Sequence, residues 1–362
     1  MRRFREYYRQ FEEMPPEELS LELRARRDEE KRRALSRVAP LDLSGTAWHE
    51  PPHPDAVNAA TFALRRALNA YPDPSAAPVR EALAERHGVA PEQVVLGHGA
   101  GELLRAACAV LLAGGGDAVV AWPGWQPLPG IVEAAGGRPL PAAPAPAELI
   151  ERARHARAVL VTSPADPTGT VLGRGALRDV CAGVPEGVTV IVDEALGEFE
   201  PDAEDAAGLV AELPNLLIVR SFSKAHAMAG LRAGAALGAA RLVARLAPSG
   251  GIGAPAQAAA AWAVSERGLE LAARRRAAAA AGHRQLAAAL AGSPLSALPA
   301  AVPFAWISSG AEDGAAIVAR LASSQVFVAP GRLWGDDRHV RAALRGPAAI
   351  ERLAAALVDG IR

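Results

Sequence analysis

Short β-rich runs alternate with helical or loop segments through the middle of this 362-residue chain. The runs span residues Val94 to Leu96, Ala118 to Trp122, Ala158 to Thr162, Val188 to Val192 and Leu216 to Val219. Strands that alternate with helices form right-handed βαβ units, because the crossover packs back onto the sheet with that hand. The pattern therefore predicts an α/β fold built on a mostly parallel sheet.

The remaining segments divide the chain into three expected parts. Residues 1–40 mix acids and bases densely, which favours a solvated helical arm; a dimer arm or a lid over the site is the alternative. Residues 41–250 are expected to form a large domain, with 41–55 joining it to a smaller one. Residues 251–362 begin with a long Ala- and Arg-rich helical region and continue with strands and helices, so we expect a smaller α+β domain. The stretch 139–146 is rich in proline and is interpreted as a connector.

The charge of the chain excludes some classes of partner. The formal net charge is −1, so there is no overall field to attract nucleic acid or anionic lipid. The charged start, Met1 to Glu6, lacks the apolar core of a signal peptide, and no apolar run is long enough to span a bilayer. Cys108 and Cys181 each lie in an apolar stretch and are expected to be buried free thiols. We therefore expect a cytoplasmic protein without nucleic-acid or membrane partners.

One lysine stands where a strand should end. Lys224 follows the run Leu216 to Val219, and Arg232 comes eight positions later, before Gly234. Ligands of open α/β sheets bind at the carboxyl ends of the strands. A lysine at this place can form a Schiff base with a carbonyl. Taken alone, the lysine would more simply lie on a surface loop.

Two further features fall at the same expected edge of the sheet. The turn Gly97 to Gly101 leads from a strand into a predicted helix, Glu102 to Leu112, and unpaired N–H groups at a helix start can bind an anion. The turn is not a dinucleotide fingerprint, because Glu102 stands where the third glycine belongs. A plain tight turn is the alternative. Asp193 ends the run Val188 to Val192 and places a carboxylate at a strand end.

These motifs resemble those of the fold-type-I pyridoxal-phosphate-dependent aminotransferases of class I and II. Within that family, the longer motifs are most similar to those of histidinol-phosphate aminotransferases and threonine-phosphate decarboxylase. Ser221 to Gly234 matches every fixed position of S-x-S-K-x-x-x-x-x-G-L-R-x-G. Ser163 to Gly169 is similar to N-P-x-N-P-T-G, and Val326 to Gly335 is similar to V-x-V-x-P-G-x-x-F-G. The resemblance implies a large domain whose mostly parallel sheet, of the seven-stranded type, lies between helices, and a smaller α+β domain.

The resemblance also implies roles for individual residues, with pyridoxal 5′-phosphate as the cofactor and no metal. Lys224 would form the Schiff base and move the proton, and Asp193 would stabilise the protonated pyridine nitrogen. The other implied cofactor contacts are Tyr71, Ala100, Gly101, Trp125, Asp166, Ser221, Ser223 and Arg232. Trp125 would stack on the ring, although a packed core tryptophan is the alternative. Tyr71 would reach the phosphate in the neighbouring subunit, which implies a homodimer.

On the substrate side, the resemblance places Arg341 against the α-carboxylate of the substrate, because a guanidinium binds a carboxylate through two parallel hydrogen bonds. A structural salt bridge on a strand is the alternative. The family often has an arginine for a substrate phosphate where this chain has Ala329, and N-x-N-P where it has Ala47 to Glu50. A phosphorylated substrate is therefore not implied.

Two positions near the expected cofactor ring depart from the family pattern. Leu196 stands where many relatives have tyrosine, and Asp166 stands where the second asparagine is usual. Neither leucine nor a carboxylate can donate a hydrogen bond to the ring's 3-oxygen. A nearby anion favours protonation, so we expect the Schiff base to have a higher pKa than in ordinary relatives.

These residues predict an aminotransferase that acts on an α-amino acid or amino-acid-like metabolite through a Schiff base at Lys224. Its partners would be a small-molecule amino donor and a keto-acid acceptor. Because one scaffold hosts several chemistries, two alternatives stay open. One is a pyridoxal-phosphate-dependent decarboxylase, and the other is a cofactor-binding protein with lost or altered catalysis.

Overall fold

The computed structural model describes residues 21, 23–26, 29, 38–200, 206–248, 250–310 and 312–358. The predicted N-terminal arm therefore lies almost entirely outside the described residues. The helices are α1 (Pro54–Ala67), α2 (Ala77–His87), α3 (Ala100–Leu111), α4 (Leu128–Ala134), α5 (Pro146–Arg152), α6 (Arg174–Gly183), α7 (Ala240–Val243), α8 (Ala254–Ala263), α9 (Glu266–Leu290), α10 (Gly314–Ser323) and α11 (Gly346–Val358). The strands are β1 (Leu41–Asp42), β2 (Val94–Gly97), β3 (Asp117–Ala121), β4 (Arg138–Ala142), β5 (Ala156–Thr162), β6 (Thr189–Glu194), β7 (Leu216–Ser221), β8 (Gly234–Leu237), β9 (Leu295–Ala297), β10 (Phe304–Ser309), β11 (Val326–Phe327), β12 (Ala329–Pro330) and β13 (His339–Ala343).

Seven strands form the large sheet, in the order β2-β8-β7-β6-β5-β3-β4. The neighbours from β7 to β4 pair in parallel, and β8 runs antiparallel to both β2 and β7. The predicted α/β fold with a mostly parallel sheet is therefore confirmed. Strand β8 was not predicted, because its sequence, Gly-Ala-Ala-Leu, carries no β-branched or aromatic residue.

Helices cover both faces of the large sheet, which explains the continuous apolar runs of its central strands. On β6, Val190 and Val192 pack in one core cluster with α2, α6 and α8, while Ile191 between them packs in another with α3 and α4. All three side chains are fully buried. The two-residue period of a strand thus supplies both layers of the core.

The interpretation of residues 139–146 as a connector is wrong for its first half. Strand β4 pairs in parallel with β3 at the edge of the large sheet, with Pro139 opposite Ala118 and Pro141 opposite Val120. The backbone N–H of Arg138 donates to the carbonyl of Gly116 at 2.9 Å. Alternate residues face the neighbouring strand, so the two prolines face the open edge, where a missing N–H breaks no ladder bond.

A second, smaller sheet has the order β12-β13-β10-β9, and all its neighbours are antiparallel. Strand β1 pairs in parallel with β11, so Leu41 lies opposite Val326 although most of the chain separates them. Leu43 is buried in one cluster with residues of α9, β10 and α11. Within the described part of the chain, no helix is both long and apolar enough to cross a bilayer.

Candidate active site

The carboxyl ends of β5, β6 and β7 meet beside the start of α3 and enclose a cavity of about 200 Å³. Nine of its lining residues are ones that the sequence singled out as cofactor contacts: Ala100, Gly101, Trp125, Asp166, Asp193, Ser221, Ser223, Lys224 and Arg232. The lining is completed by Thr162, Ala195, Leu196 and Ala229. In the sequence, Leu196 stands out only as a departure from the family pattern, and Thr162, Ala195 and Ala229 carry no motif that assigns them to the cofactor.

Lys224 projects into the cavity from the loop that follows β7. Its Nζ donates to the hydroxyl of Thr46 at 2.5 Å. Burial lowers the pKa of Lys224, and Arg341 and Arg232 lower it further, while Asp166 and Asp193 oppose the shift. A lysine with a lowered pKa loses its proton more readily and becomes a nucleophile and a base.

Asp193 is the penultimate residue of β6 and is almost completely buried. Its Oδ1 accepts a hydrogen bond from the backbone N–H of Ala195 at 3.0 Å. Burial raises the pKa of Asp193 to about 6, while the Ala195 bond and the charge of Lys224 oppose the shift. The deep end of the cavity therefore holds a carboxylate that a cationic ligand group would stabilise.

The other end of the cavity is suited to an anion. Gly99 precedes α3 with φ of 91°, and the N–H groups of Ala100 and Gly101 belong to the first helical turn, where no intrahelical acceptor is available. A Cβ at position 99 would lie 2.7 Å from Nη2 of Arg232, so glycine lets the guanidinium approach this turn. The Glu102 carboxylate accepts from His98 N–H at 2.5 Å and holds the turn. Helix N–H groups and a guanidinium together favour a phosphate.

Trp125 lies at the side of the cavity. Its backbone N–H donates to the hydroxyl of Thr162 at 3.1 Å, and its indole packs partly buried against the core around α3. The tryptophan therefore lines the cavity and packs against the core at the same time. Thr162 follows the apolar part of β5, and a hydroxyl at the carboxyl end of a buried strand was a sequence signal for this edge.

Asp166 forms an ion pair with Arg341 across the cavity wall. Asp166 Oδ1 accepts from Arg341 Nη1 at 2.5 Å, and each side chain is 11% exposed. Arg341 Nη2 donates to the backbone carbonyl of Ser44 at 2.7 Å. The guanidinium also lies over the ring of Trp334, 4.8 Å from its centroid. The sequence predicted the two residues separately, one near the cofactor ring and one near the substrate, and did not predict their pairing.

Two tryptophans attach the small sheet to the large one beside this ion pair. Trp122 Nε1 donates to the Trp334 carbonyl at 2.8 Å, and Trp334 Nε1 donates to the Gly124 carbonyl at 3.1 Å. Trp334 is 4% exposed and follows β12. The arrangement fixes the position of Arg341 on β13 relative to the cavity.

Two further residues, Tyr71 and Thr46, differ in how they relate to the cavity of a single chain. Tyr71 is fully exposed and does not line the cavity of a single chain. Thr46 was missed, because nothing in the local pattern around it signals a contact with a lysine 178 positions away. In the described part of the chain, no group of three or more His, Cys, Asp or Glu side chains could hold a metal ion.

The cavity fits pyridoxal 5′-phosphate on the chemistry of its donors. A buried carboxylate at the deep end suits a protonated pyridine nitrogen, and the lysine amine suits the aldehyde. Helix N–H groups, Ser221, Ser223 and Arg232 suit the phosphate. The lining therefore holds groups that suit both the ring and the phosphate of this cofactor.

Comparisons with known proteins also indicate a site for pyridoxal 5′-phosphate. The family model for aminotransferase class I and II matches residues 41–357. The chain is 31% identical over 339 residues to histidinol-phosphate aminotransferase 1 of Burkholderia pseudomallei, with 88% of this chain and 91% of that protein covered. It is 35% identical over 260 residues to an aromatic amino acid aminotransferase of Corynebacterium jeikeium, with 67% and 69% covered. Matches to two proteins named histidinol-phosphate aminotransferase 2 span about half of those relatives' length, 49% in each case.

A solved structure is similar over almost the whole fold. The crystal structure of histidinol-phosphate aminotransferase from Sinorhizobium meliloti in complex with pyridoxal-5′-phosphate superposes with a TM-score of 0.79 at 26% sequence identity. The match covers 92% of this chain and 94% of that one.

Proposed function

We propose that this chain, which belongs to the class I and II aminotransferase family, is a pyridoxal-phosphate-dependent aminotransferase that transfers amino groups through Lys224. The observation that carries this proposal is the position of the amine. Lys224 Nζ reaches the cavity between the buried carboxylate of Asp193 and the anion-binding end around Arg232. The chain has only two lysines, and the other, Lys31, lies outside the described residues.

Pyridoxal 5′-phosphate, when bound, supplies an aldehyde for the lysine and a ring that accepts electrons from the substrate. Asp193 would hold the ring nitrogen, and Trp125 would cover the face of the ring. Ala100, Gly101, Ser221, Ser223 and Arg232 would hold the phosphate through the N–H, hydroxyl and guanidinium groups that line that end of the cavity.

Lys224 would also carry the proton that leaves the substrate carbon. Its lowered pKa favours the neutral amine, which can accept that proton. The Thr46 hydroxyl accepts from Nζ and so holds the amine on one side of the cavity. The Asp193 carboxylate would stabilise a protonated ring nitrogen, and the positive charge on that nitrogen would draw electrons from the substrate carbon.

We propose that the amino donor is an α-amino acid or amino-acid-like metabolite bound beside Asp166, which lines the cavity and pairs with Arg341, with a keto acid as the acceptor. The names of the relatives, histidinol-phosphate and aromatic amino acid aminotransferases, support a donor with a ring side chain. Ala329 lies opposite Arg341 in the small sheet and supplies no charge for a substrate phosphate. An unphosphorylated donor is therefore the better fit.

Borohydride reduction of the holoenzyme tests the assignment of the lysine. Reduction fixes the cofactor covalently to the amine that holds it, and peptide mass spectrometry then identifies that lysine. We expect the added mass on Lys224 in the wild type and in the matched control Lys31→Arg. Lys224→Ala should take up no fixed cofactor and lose at least about 10²-fold in the amino-transfer rate. Cofactor fixed to Lys31, or full activity in Lys224→Ala, would refute the proposal.

We also propose a cytoplasmic homodimer in which Tyr71 completes the phosphate site of the partner. Tyr71 is fully exposed in one chain, and Val57 and Phe62 on the preceding helix α1, with Leu68 just after it, also expose apolar side chains. In the proposed dimer, each site takes Lys224 from one subunit and Tyr71 from the other. Tyr71→Ala and Lys224→Ala therefore each remove a residue that a different subunit supplies to the site. Mixing the two variants after reversible dissociation should restore about one quarter of the wild-type sites, because half of the random dimers carry one intact site. No recovery in a mixture that sediments as a dimer would contradict the shared site.

A further inference from the structure

We propose that Asp166 makes this site select amino donors that carry no carboxylate on the amine-bearing carbon. The inference rests on the proposed function, because it concerns the donor that reacts at Lys224. Of the two donor classes proposed above, it selects the amino-acid-like metabolites over the α-amino acids, namely amines in which an uncharged group, such as a primary alcohol, takes the place of the α-carboxylate.

The first observation is that the guanidinium fork of Arg341 is already occupied by this chain. One terminal nitrogen donates to the carboxylate of Asp166 and the other donates to the carbonyl of Ser44. An arginine recognises a carboxylate through two parallel N–H groups of this kind. A substrate carboxylate could take that position only by displacing both acceptors.

The second observation is the charge of the pair. Asp166 and Arg341 are both buried in the wall of the site, so their charges are poorly screened by water. Their sum is zero, whereas asparagine at position 166 would leave a net positive charge. A donor carboxylate at this place would meet the carboxylate of Asp166 instead of a free cation, and like charges side by side disfavour binding.

The third observation concerns the remaining cations. Arg341 lies behind Asp166, and among the described residues that line the cavity the cationic side chains are Lys224 and Arg232. Lys224 is the reacting amine. Arg232 lies at the anion-binding end beside Gly99 and donates to the carbonyl of Ala229 at 2.9 Å. Neither offers a second binding place for a carboxylate on the substrate side.

An amine without the carboxylate binds while the ion pair stays intact, and its neutral group can lie beside Asp166, the member of the pair that lines the cavity. A keto-acid acceptor would have to open the pair, so its apparent KM should be high. Asp166→Asn keeps the size of the side chain but removes its charge. We expect this substitution to improve the binding of carboxylates and to leave neutral ligands unaffected.

The test uses unreactive ligands, so that binding is measured apart from catalysis. Calorimetry on the holoenzyme compares 3-phenylpropionate with 3-phenylpropan-1-ol, which differ only in the carboxylate. Asp166→Asn should tighten the carboxylate by about tenfold or more, because a like-charge contact is removed, and should leave the affinity for the alcohol unchanged. Asp117→Asn, which removes a carboxylate from an exposed pair with Arg138 at the opposite end of β3, serves as the matched control.

Conversion of donors gives the second arm. Wild-type protein should convert L-phenylalaninol and L-histidinol faster than L-phenylalanine and L-histidine, and Asp166→Asn should reverse that order. A wild type that prefers the amino acids, or that binds the carboxylate as tightly as Asp166→Asn does, would overturn the inference while leaving the aminotransferase assignment standing. If no donor of either kind reacts, the proposed function fails, and the calorimetric contrast still decides the role of Asp166. Should Asp166→Asn not fold, the ratio of the two ligand affinities in the wild type decides it.

Discussion

Among single residues, Asp193 is the one whose burial in the site should lower the free energy of unfolding at neutral pH. Its folded-state pKa is raised by burial from 3.8 to about 6. Below about pH 4 the carboxyl is protonated in both the folded and the unfolded state, and its burial then costs no charge desolvation. Because the unfolded state ionises first, the free energy of unfolding falls as the pH rises from about 4 to 6. In the cofactor-free protein, Asp193→Asn should therefore raise the free energy of unfolding at pH 7 by up to about 3 kcal/mol.

Urea unfolding of the cofactor-free protein at pH 3.5 and pH 7 measures this effect. The two proteins should unfold alike at the lower pH and differ at the higher one. Asp117→Asn is a suitable control, because Arg138 lowers the pKa of Asp117 and the pH dependence then has the opposite sign. Parallel pH profiles for wild type and Asp193→Asn would show that burial of this carboxylate has no cost.

The residues of the site were predictable from sequence where a local motif carries them. Lys224, Asp193 and Arg232 each sit at a fixed place relative to a strand or a turn, and the structure brings all three to one cavity. The contact of Lys224 with Thr46 and that of Asp166 with Arg341 join residues 178 and 175 positions apart. Such contacts depend on how the two sheets pack, which no local pattern encodes.

At the scale of elements, the turn before α3 depends on one glycine. Gly99 has φ of 91°, and an added Cβ would lie 2.7 Å from the guanidinium of Arg232. Gly99→Ala should lower the free energy of unfolding by about 1–3 kcal/mol, because only glycine adopts this backbone conformation without strain. It should also weaken cofactor binding, since Arg232 must move away from the start of α3, where we propose that the phosphate binds. Thermal unfolding and cofactor titration measure the two effects.

Gly114→Ala provides the comparison for this turn, because a Cβ there meets no atom within 4 Å in the described part of the protein. A change of less than about 0.5 kcal/mol is expected for such a site. If both substitutions have equal effects, the special role of the Gly99 conformation is refuted.

The attachment of the small sheet depends on the hydrogen bond from Trp334 to Gly124. Trp334→Phe keeps an aromatic ring but removes the donor, which leaves the Gly124 carbonyl unpaired in a buried place. We expect a loss of about 1–3 kcal/mol in the free energy of unfolding. Urea unfolding checks it.

Trp262→Phe is the matched comparison for Trp334→Phe, because it makes the same substitution at an indole without a hydrogen-bond acceptor among the described residues. The Nε1 of Trp262 is buried and meets no acceptor among the residues described. Removing an unpaired buried donor should be neutral or stabilising. If Trp262→Phe destabilises the protein as much as Trp334→Phe does, ring volume rather than hydrogen bonding dominates at both places.

Most elements followed from sequence pattern, and the exceptions have physical causes. The apolar runs that became β5, β6 and β7 are buried on both faces, which makes them continuous and easy to find. Strand β8 consists of small residues, and β4 contains two prolines, so neither shows β propensity of its own. Both exist because neighbouring strands supply their hydrogen-bond partners.

At the scale of the whole molecule, the link between the two sheets sets the geometry of the site. The cavity is lined by residues of the large sheet, whereas Arg341 comes from β13 of the small one. The Asp166–Arg341 pair and the two tryptophan hydrogen bonds cross from one sheet to the other within a short distance of the cavity. The substrate selection that we propose and the joining of the sheets therefore involve the same group of side chains.

The prolines of β4 have a consequence for the behaviour of the protein in concentrated solution. A sheet whose last strand offers free N–H groups can accept a strand from another molecule, which is the step that starts fibre growth. Here the outward-facing positions of the last strand are Pro139 and Pro141. The double substitution Pro139→Val/Pro141→Val should increase light scattering on prolonged incubation, whereas Pro144→Val, outside the strand, should not. Equal scattering from both variants would refute this role for the edge prolines. The two prolines that obscured β4 in the sequence therefore also prevent a further strand from pairing with this edge of the sheet. Association of the molecules at this edge then depends on side-chain contacts.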